Sequence, residues 1–258
     1  MSQRELTIPS GSAGAKAWNW LAQSLTQHDQ MTAYFEPLIQ IVLPQWTTTG
    51  YRSKVVQVRR ETADVYTLVI KPSGRWPQFT PGQYLEITAE RDGARQSRYF
   101  SISCSPEQYS RSGNIELTIR VQEGGRITPW LREHFEHGGI VTLSAAQGEF
   151  VLPAGNEPLL MIAGGSGITP FRSMLQHLGA SKSSRDVHLM YYGRDAQSLL
   201  FRDEFERLAA EHSNIHVTFM DGEEVGVISE EHITEHCADY AERLAMICGP
   251  TPMIKRSR

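Results

Sequence analysis

The densest chemistry in this sequence of 258 residues lies where an apolar run, Leu159 to Ala163, meets Gly164, Gly165, Ser166, Gly167, Ile168, Thr169 and Pro170. Glycines after a buried strand let an anion approach the backbone without meeting a side chain. A helix opening behind them turns its unpaired amides and partial positive charge on that anion. Thr169 is expected as the N-cap, its hydroxyl taking a first-turn amide, and Pro170 as the first helical residue, where no amide donor is needed. Strand, glycines, cap and helix come in the order that pyrophosphate binding requires, whereas glycines alone would equally serve a structural βα turn. The device recurs at Gly125, Arg126, Ile127, Thr128 and Pro129, where the alternative is a capped helix with no ligand.

A second group, Arg98, Tyr99, Phe100 and Ser101, sits in a predicted strand. The two-residue period of a strand puts Arg98 and Phe100 on one face. A guanidinium fork, an aromatic ring and a hydroxyl are what a flavin nucleotide needs: a cation for phosphate, a ring beside the isoalloxazine or ribityl, and a hydrogen bond near the reactive nitrogen. The competing interpretation is an exposed arginine beside core aromatics.

These residues need two different scaffolds. From Tyr51 to Val151 the sequence has short runs of strand character at Lys54–Val58, Val65–Ile70, Tyr84–Thr88, Tyr99–Ser103, Ile115–Val121 and Val141–Leu143. Turn residues at Pro72–Gly74, Pro81–Gly82 and Asp92–Gly93 separate them, and one helix interrupts the series at about Pro129–His137. Such spacing predicts an antiparallel barrel. After Pro153 the apolar runs Leu159–Ala163, Val187–Tyr192, Ile215–Phe219 and Leu244–Cys248 alternate with helical patterns. One carries Phe171, Met174, Leu175 and Leu178, the next Phe201, Phe205 and Leu208. That alternation predicts a doubly wound parallel sheet. The expected organisation is an N-terminal extension over 1–50, a six-stranded antiparallel Greek-key β-barrel over 51–154, and a C-terminally shortened α/β nucleotide-binding domain over 155–258.

Composition narrows the functional classes. A net charge of −4 with both signs interspersed gives no basic surface for nucleic acid. Cys104, Cys237 and Cys248 are scattered, make no CxxC pair and so predict neither a zinc nor an iron–sulfur site, nor a disulfide framework. No secretory signal is recognisable, no run reaches the ~18 apolar residues of a spanning helix, and a cytoplasmic location is expected. Within the extension, Trp18, Leu21 and Leu25 recur at helical spacing, while Pro37 and Pro44 break a second apolar run. This segment either packs on the barrel or docks a partner or, peripherally, a membrane.

Together, and in this order, Arg98–Ser101, Gly125–Thr128, Gly164–Pro170 and Cys248, Gly249 and Pro250 resemble the ferredoxin–NADP reductase family over roughly residue 50 to the end. The Pro37 to Trp46 segment is similar to the branch of flavodoxin or ferredoxin reductases serving desaturases and oxygenases. The resemblance implies an NAD(P)H-dependent flavoprotein reductase holding FAD, with FMN the alternative, and taking hydride from NADPH or NADH. Single electrons then pass to a ferredoxin-like, desaturase or oxygenase partner with an iron–sulfur or haem centre; the alternatives are a free flavin reductase and a non-catalytic flavin-binding remnant of a truncated reductase. It implies that Arg98 contacts the flavin phosphate and that Phe100 replaces a usual tyrosine beside the flavin. Ser101 sits near flavin N5, Thr118, Ile119 and Arg120 border the FAD, and Gly125, Ile127 and Thr128 hold its pyrophosphate. Gly164, Gly165, Ser166, Gly167, Thr169 and Pro170 receive the nicotinamide nucleotide, and Cys248, followed by Gly249 and Pro250, lies beside the nicotinamide. Ser101 and Cys248 are thus the catalytic candidates, although Cys248 could equally be a small buried strand-end residue. Arg194, after Tyr192 and Gly193, favours the 2′-phosphate of NADPH, while its neighbour Asp195 opposes that reading and a solvated loop arginine is the alternative. Thr251 and Pro252 resemble another helix start, but no helix is expected after them, and a chain shortened there would rely on a separate acceptor protein.

Overall fold

Six strands alternate directions in the first half of the chain: β1 (Tyr51–Arg60), β2 (Val65–Lys71), β3 (Tyr84–Arg91), β4 (Ala94–Ser101), β5 (Ile115–Arg120) and β6 (Gly139–Leu143). The structure, a computed structural model, describes residues 50–256 apart from 75, 92, 123 and 126. The expectations for residues 1–49 and for Arg126 lie outside the described residues. The strands form one antiparallel sheet in the order β4-β3-β6-β1-β2-β5, with β6 inserted between β3 and β1 as a Greek key demands. The two edges meet where Ile102 bridges Leu117 and the Ser103 amide donates to the Glu116 carbonyl at 2.9 Å. This closure converts the sheet into a barrel around Leu68, Ile70, Leu85, Ile87, Ile102, Leu117 and Leu143, each at most 1 % exposed.

Two helices punctuate the barrel. α1 (Pro106–Ser112) was not anticipated by the apolar periodicity, because its sequence is almost wholly polar. Its cause is local: Ser105 accepts the Gln108 amide, Pro106 opens the first turn, and Gly113 closes the helix at φ +69°. α2 (Thr128–His134) matches the predicted helix but ends three residues sooner. β4 starts five residues before the predicted strand and stops two residues before its predicted end. Its pairing with β3 continues through Arg95, Gln96 and Ser97, whose polarity hides the strand.

The second half forms a parallel sheet in the order β10-β7-β8-β9, from β7 (Leu159–Gly164), β8 (Val187–Gly193), β9 (Ile215–Asp221) and β10 (Leu244–Cys248). Its helices are α3 (Ile168–Ala180), α4 (Arg202–Glu211), α5 (Gly222–Val225), α6 (Glu230–His236) and α7 (Thr251–Arg256). Met161, Leu189 and Tyr191 face Phe171, Met174, Leu175 and Phe205 from α3 and α4. The opposite strand face, with Leu160, Ile162, Met190 and Tyr192, packs beneath Ile228, Ile233 and Met253. Helices therefore cover both faces, as the sequence pattern requires. α7 corrects the expectation that no helix follows Thr251: six residues there are helical. Consecutive elements make β7 and β8 neighbours, but β10 crosses back to the other side of β7, so the chain reverses direction between β7 and β10. In open α/β sheets a ligand crevice lies outside the strand ends at such a reversal.

Candidate functional site

At that reversal β7 ends in Gly164, a single 3₁₀ turn spans Gly165–Gly167, and α3 begins at Ile168. The capping expectation is corrected here. Gly167 is the N-cap without a side-chain bond, and Thr169 lies inside the helix, donating to the Ser166 carbonyl at 3.0 Å. The threonine oxygen therefore takes no first-turn amide, and the Ile168 amide turns onto the Gly165 and Ser166 carbonyls. Backbone packs directly on backbone around the turn. A Cβ at Gly167 would overlap the Cys248 carbonyl and stand 2.8 Å from the Gly249 nitrogen, and one at Gly164 would stand 2.9 Å from Pro250 Cδ. Gly249 in turn has no room beside Gly164 and the Met253 sulfur. Gly164, Gly167, Cys248, Gly249 and Pro250 are therefore brought together, and the three glycines allow this close approach. Gly165 is needed for a different reason, its φ of +53°. Cys248 is half-buried, and burial pushes its thiol above the ordinary cysteine range, so the group stays neutral.

On the barrel side, Arg98, Tyr99, Phe100 and Ser101 form the end of β4, an edge strand. Register with β3 places Arg98 and Phe100 opposite the core residues Ile87 and Leu85, on one face. Tyr99 and Ser101 share the other face with Tyr84, whose ring meets Tyr99 edge-on at 5.7 Å. The four residues thus wrap an edge from both sides. Arg98 is exposed, and among the described residues its guanidinium donates to the carbonyl of Ser97, at 2.7 Å.

Thr118 and Ile119 lie within the barrel wall. The Thr118 hydroxyl is 2.9 Å from those of Ser103 and Thr67, and Ile119 is 1 % exposed. Arg120, the last residue of β5, is half-exposed and reaches across to the second domain, its Nη1 standing 3.1 Å from where a Cβ on Gly165 would be. Asp64 holds its other side at 3.5 Å. The 121–127 loop departs from expectation. The Gly125 amide donates to Gln122 within a turn, Ile127 is buried in the barrel core, and the Thr128 hydroxyl accepts the Gln122 amide instead of capping α2. Neither of these two amides is offered to an anion. α2 is pinned by Tyr66, buried and donating to the Thr128 carbonyl at 2.8 Å. Tyr66→Phe is expected to lower stability by about 1 kcal/mol, measured as a lower thermal midpoint of the cofactor-free protein.

Sequence reasoning missed the residues that join the halves. α3 lays Arg172, Ser173, Gln176 and His177 along the segment 103–107 of the barrel. Arg172 Nη1 is 2.6 Å from Glu116 Oε2, Ser173 donates to the Cys104 carbonyl at 2.7 Å, Gln176 accepts the Ser105 amide at 2.8 Å, and His177 stands 2.8 Å from Glu107. Burial alone would raise the Glu116 carboxyl, but Arg172 and Arg59 outweigh it and hold the group below the usual carboxylate range. The one available signal was the polar face of an otherwise apolar helix, which reads equally as solvated.

Two domain families account for nearly all of this architecture. The oxidoreductase FAD-binding domain matches residues 53–152, and the oxidoreductase NAD-binding domain matches residues 161–258. The chain thus carries FAD-binding and NAD-binding oxidoreductase domains and has ferredoxin–NADP reductase-like homologues. It is similar to an NADPH oxidoreductase of Mycobacterium tuberculosis, with 31% identity over 85% of this chain and 58% of that protein. It is also similar to the reductase component of propane 2-monooxygenase from Mycolicibacterium smegmatis, 29% identical over 79% of this chain and 61% of that one. Among solved structures, the ferredoxin NADP+ reductase of Neisseria gonorrhoeae with bound FAD and NADP superposes with a TM-score of 0.68 at 18% identity, covering 82% of this chain and 89% of that one, a likeness of fold. The chain spans between about half and three fifths of the length of the curated relatives it matches. Among the described residues, this reductase-like chain has no helix long and apolar enough to cross a membrane and no cluster of three metal-ligating side chains.

Proposed function

We propose that this chain takes hydride from NADPH or NADH onto FAD and delivers electrons singly to an iron–sulfur or haem acceptor. The observation that carries the proposal is Arg120, a residue of the FAD-binding domain whose guanidinium lies over the Gly165 turn of the NAD-binding domain. The FAD-binding domain thus reaches the glycine turn of the NAD-binding domain. The residues present fit both nucleotides: among the described residues Arg98 has a guanidinium with no carboxylate on it, and Gly165 and Gly167 let a pyrophosphate approach the backbone at the N-terminal end of α3.

When bound, the flavin supplies hydride acceptance and release of electrons one at a time. The chain supplies binding and orientation. We assign Arg98 to the FAD phosphate, the Phe100 ring to the flavin's side, and the Ser101 hydroxyl to a hydrogen bond with N5. Tyr99, Arg120 and the 125–128 turn border the same nucleotide, with Thr118 and Ile119 as the wall behind it. Gly164–Gly167, Thr169 and Pro170 take the nicotinamide nucleotide. Cys248, whose backbone carbonyl packs against Gly167 and whose thiol is neutral, is assigned to the side of the nicotinamide ring, followed by Gly249 and Pro250. Relatives named as reductase components of propane 2-monooxygenase and glycine betaine monooxygenase support an oxygenase as the acceptor.

The assignment is tested by anaerobic titration of the purified yellow protein. NADPH or NADH should bleach the flavin, and cytochrome c reduction should require an added iron–sulfur protein. Yellow protein that neither nucleotide bleaches would overturn the assignment. Cofactor preference rests on Arg194, exposed and held by Asp195 at 3.1 Å. Arg194→Ala is expected to raise the KM for NADPH about tenfold, the scale of a partly solvated charge-assisted contact, with the KM for NADH unchanged in steady-state assays.

A further inference from the structure

The contact between the two domains is not a simple apolar seam. An apolar part exists: the Phe150 and Phe171 rings meet at 5.6 Å, and Val65 of the barrel packs into the α/β core. At its centre, however, are charges. Arg172 is 5 % exposed and Glu116 6 %. Arg172 also holds both Glu204 oxygens through Nε, at 3.1 and 3.0 Å, and reaches the Ser103 carbonyl at 3.3 Å. Glu116 receives Arg59 at 3.2 Å on each oxygen and Gln108 at 3.1 Å. Gln176 closes the ring by donating to Glu204 at 2.6 Å while accepting the Ser105 amide.

Buried ion pairs of this kind add little net stability, because desolvation cancels much of their attraction, and apolar replacements of equal volume often fold as well. What such a cluster does that an apolar seam cannot is fix direction. Hydrogen bonds at these lengths do not permit sliding, whereas apolar side chains tolerate it. The location gives that property a purpose. α3 begins directly after the Gly165–Gly167 turn, and Arg172 lies five residues beyond Gly167, about 7.5 Å along the helix. Ser103 lies two residues past Ser101, about 7 Å along the chain. Glu116 lies four residues before Arg120 on β5. Each side of the clamp is thus rigidly continuous with one of the two nucleotide sites.

We infer that Arg172, through its contacts with Glu116 and the Ser103 carbonyl, is a positioning residue that sets the glycine turn against the Ser101 end of β4 for hydride transfer. The inference rests on the flavin and nicotinamide reading above. Displacement of reacting groups by ~1 Å costs about 100-fold in rate, so loss of the clamp should appear in the transfer step before it appears in folding or binding.

The decisive protein is the double variant Arg172→Met with Glu116→Gln, which removes both charges and keeps the volume. Its FAD content should stay close to that of the unaltered protein, while its thermal midpoint falls modestly because the partly buried Glu204 loses Arg172. The limiting rate of anaerobic flavin bleaching should fall between about tenfold and 100-fold, while the half-saturating NADPH concentration changes less than about twofold. Hydrogen exchange of the cofactor-free protein gives a second readout: the Ser105 amide, bonded to Gln176, should exchange faster. Arg172→Lys keeps the charge but loses the fork, and should recover part of the rate; it carries the same test if the double variant does not fold. Bleaching at the unaltered rate, or a rate loss that merely follows FAD loss, overturns the positioning role. If the unaltered protein is itself not bleached by either nucleotide, the functional reading has failed instead, and an unchanged Ser105 exchange rate in the variant would still overturn the clamp.

Discussion

Gly167→Ala should leave a folded, yellow protein that NADPH and NADH bleach at least about 100-fold more slowly than the unaltered one. The backbone at Gly167 has φ −64°, ordinary helical geometry that alanine adopts without strain. Any effect must therefore come from the added carbon. That carbon has no free space, because it would overlap the Cys248 carbonyl and crowd the Gly249 nitrogen, and neither is the flexible end of a side chain. The end of β10 must shift away from the turn. Overpacking of this kind costs about 1–3 kcal/mol, which a domain of this size survives, but the shift falls where the proposed nicotinamide site is formed. Flavin content should be unaffected, since the residues assigned to FAD lie in the other domain. Gly74→Ala is the control, with open space around the new carbon, and should change stability by no more than about 0.5 kcal/mol. Stopped-flow bleaching and flavin absorbance separate the two outcomes. A Gly167→Ala protein bleached at the ordinary rate would remove the turn from the nucleotide site.

Why the glycine turn was readable while the domain contact was not is a matter of range. Leu159 to Pro170 places strand, glycines and helix within twelve consecutive residues, so local rules suffice. The same rules misassigned Thr128 and Thr169 as caps, because a threonine–proline pair marks a helix start without saying which bond the hydroxyl makes. At Thr169 the preceding 3₁₀ turn starts the helix earlier, and at Thr128 a loop amide claims the oxygen. β4 was half hidden because a polar hairpin arm carries no apolar alternation, and α1 because its caps, not its periodicity, make it a helix. Arg172 and Glu116 are 56 positions apart, and each sits in a polar position of an ordinary-looking element. Nothing in the local pattern distinguishes a polar face that meets water from one that meets another domain. That distinction exists only once β4 and β5 have joined at Ile102 and Leu117 and offered α3 a surface.

Arg98→Ala should weaken FAD binding about 30-fold, on the scale of about 2 kcal/mol for a charge-assisted hydrogen bond to phosphate. Among the described residues Arg98 has no acidic partner and donates to the carbonyl of the preceding residue. Removing it therefore breaks no ion pair and leaves no carboxylate stranded, so stability of the cofactor-free protein should barely change. This separates Arg98 from Arg120, which is tied to Asp64. It also makes salt a diagnostic. An exposed guanidinium attracting a phosphate is screened over about 8–10 Å at physiological ionic strength, so added salt should weaken FAD binding to the unaltered protein more than to Arg98→Ala. Arg98→Lys should recover only part of the loss, since an ammonium cannot grip phosphate through two parallel bonds. Equilibrium titration of the cofactor-free proteins with FAD, followed by quenching of flavin fluorescence at two salt concentrations, gives all of these values. Equal affinity and equal salt slopes for the unaltered protein and Arg98→Ala would place the flavin phosphate elsewhere on the barrel.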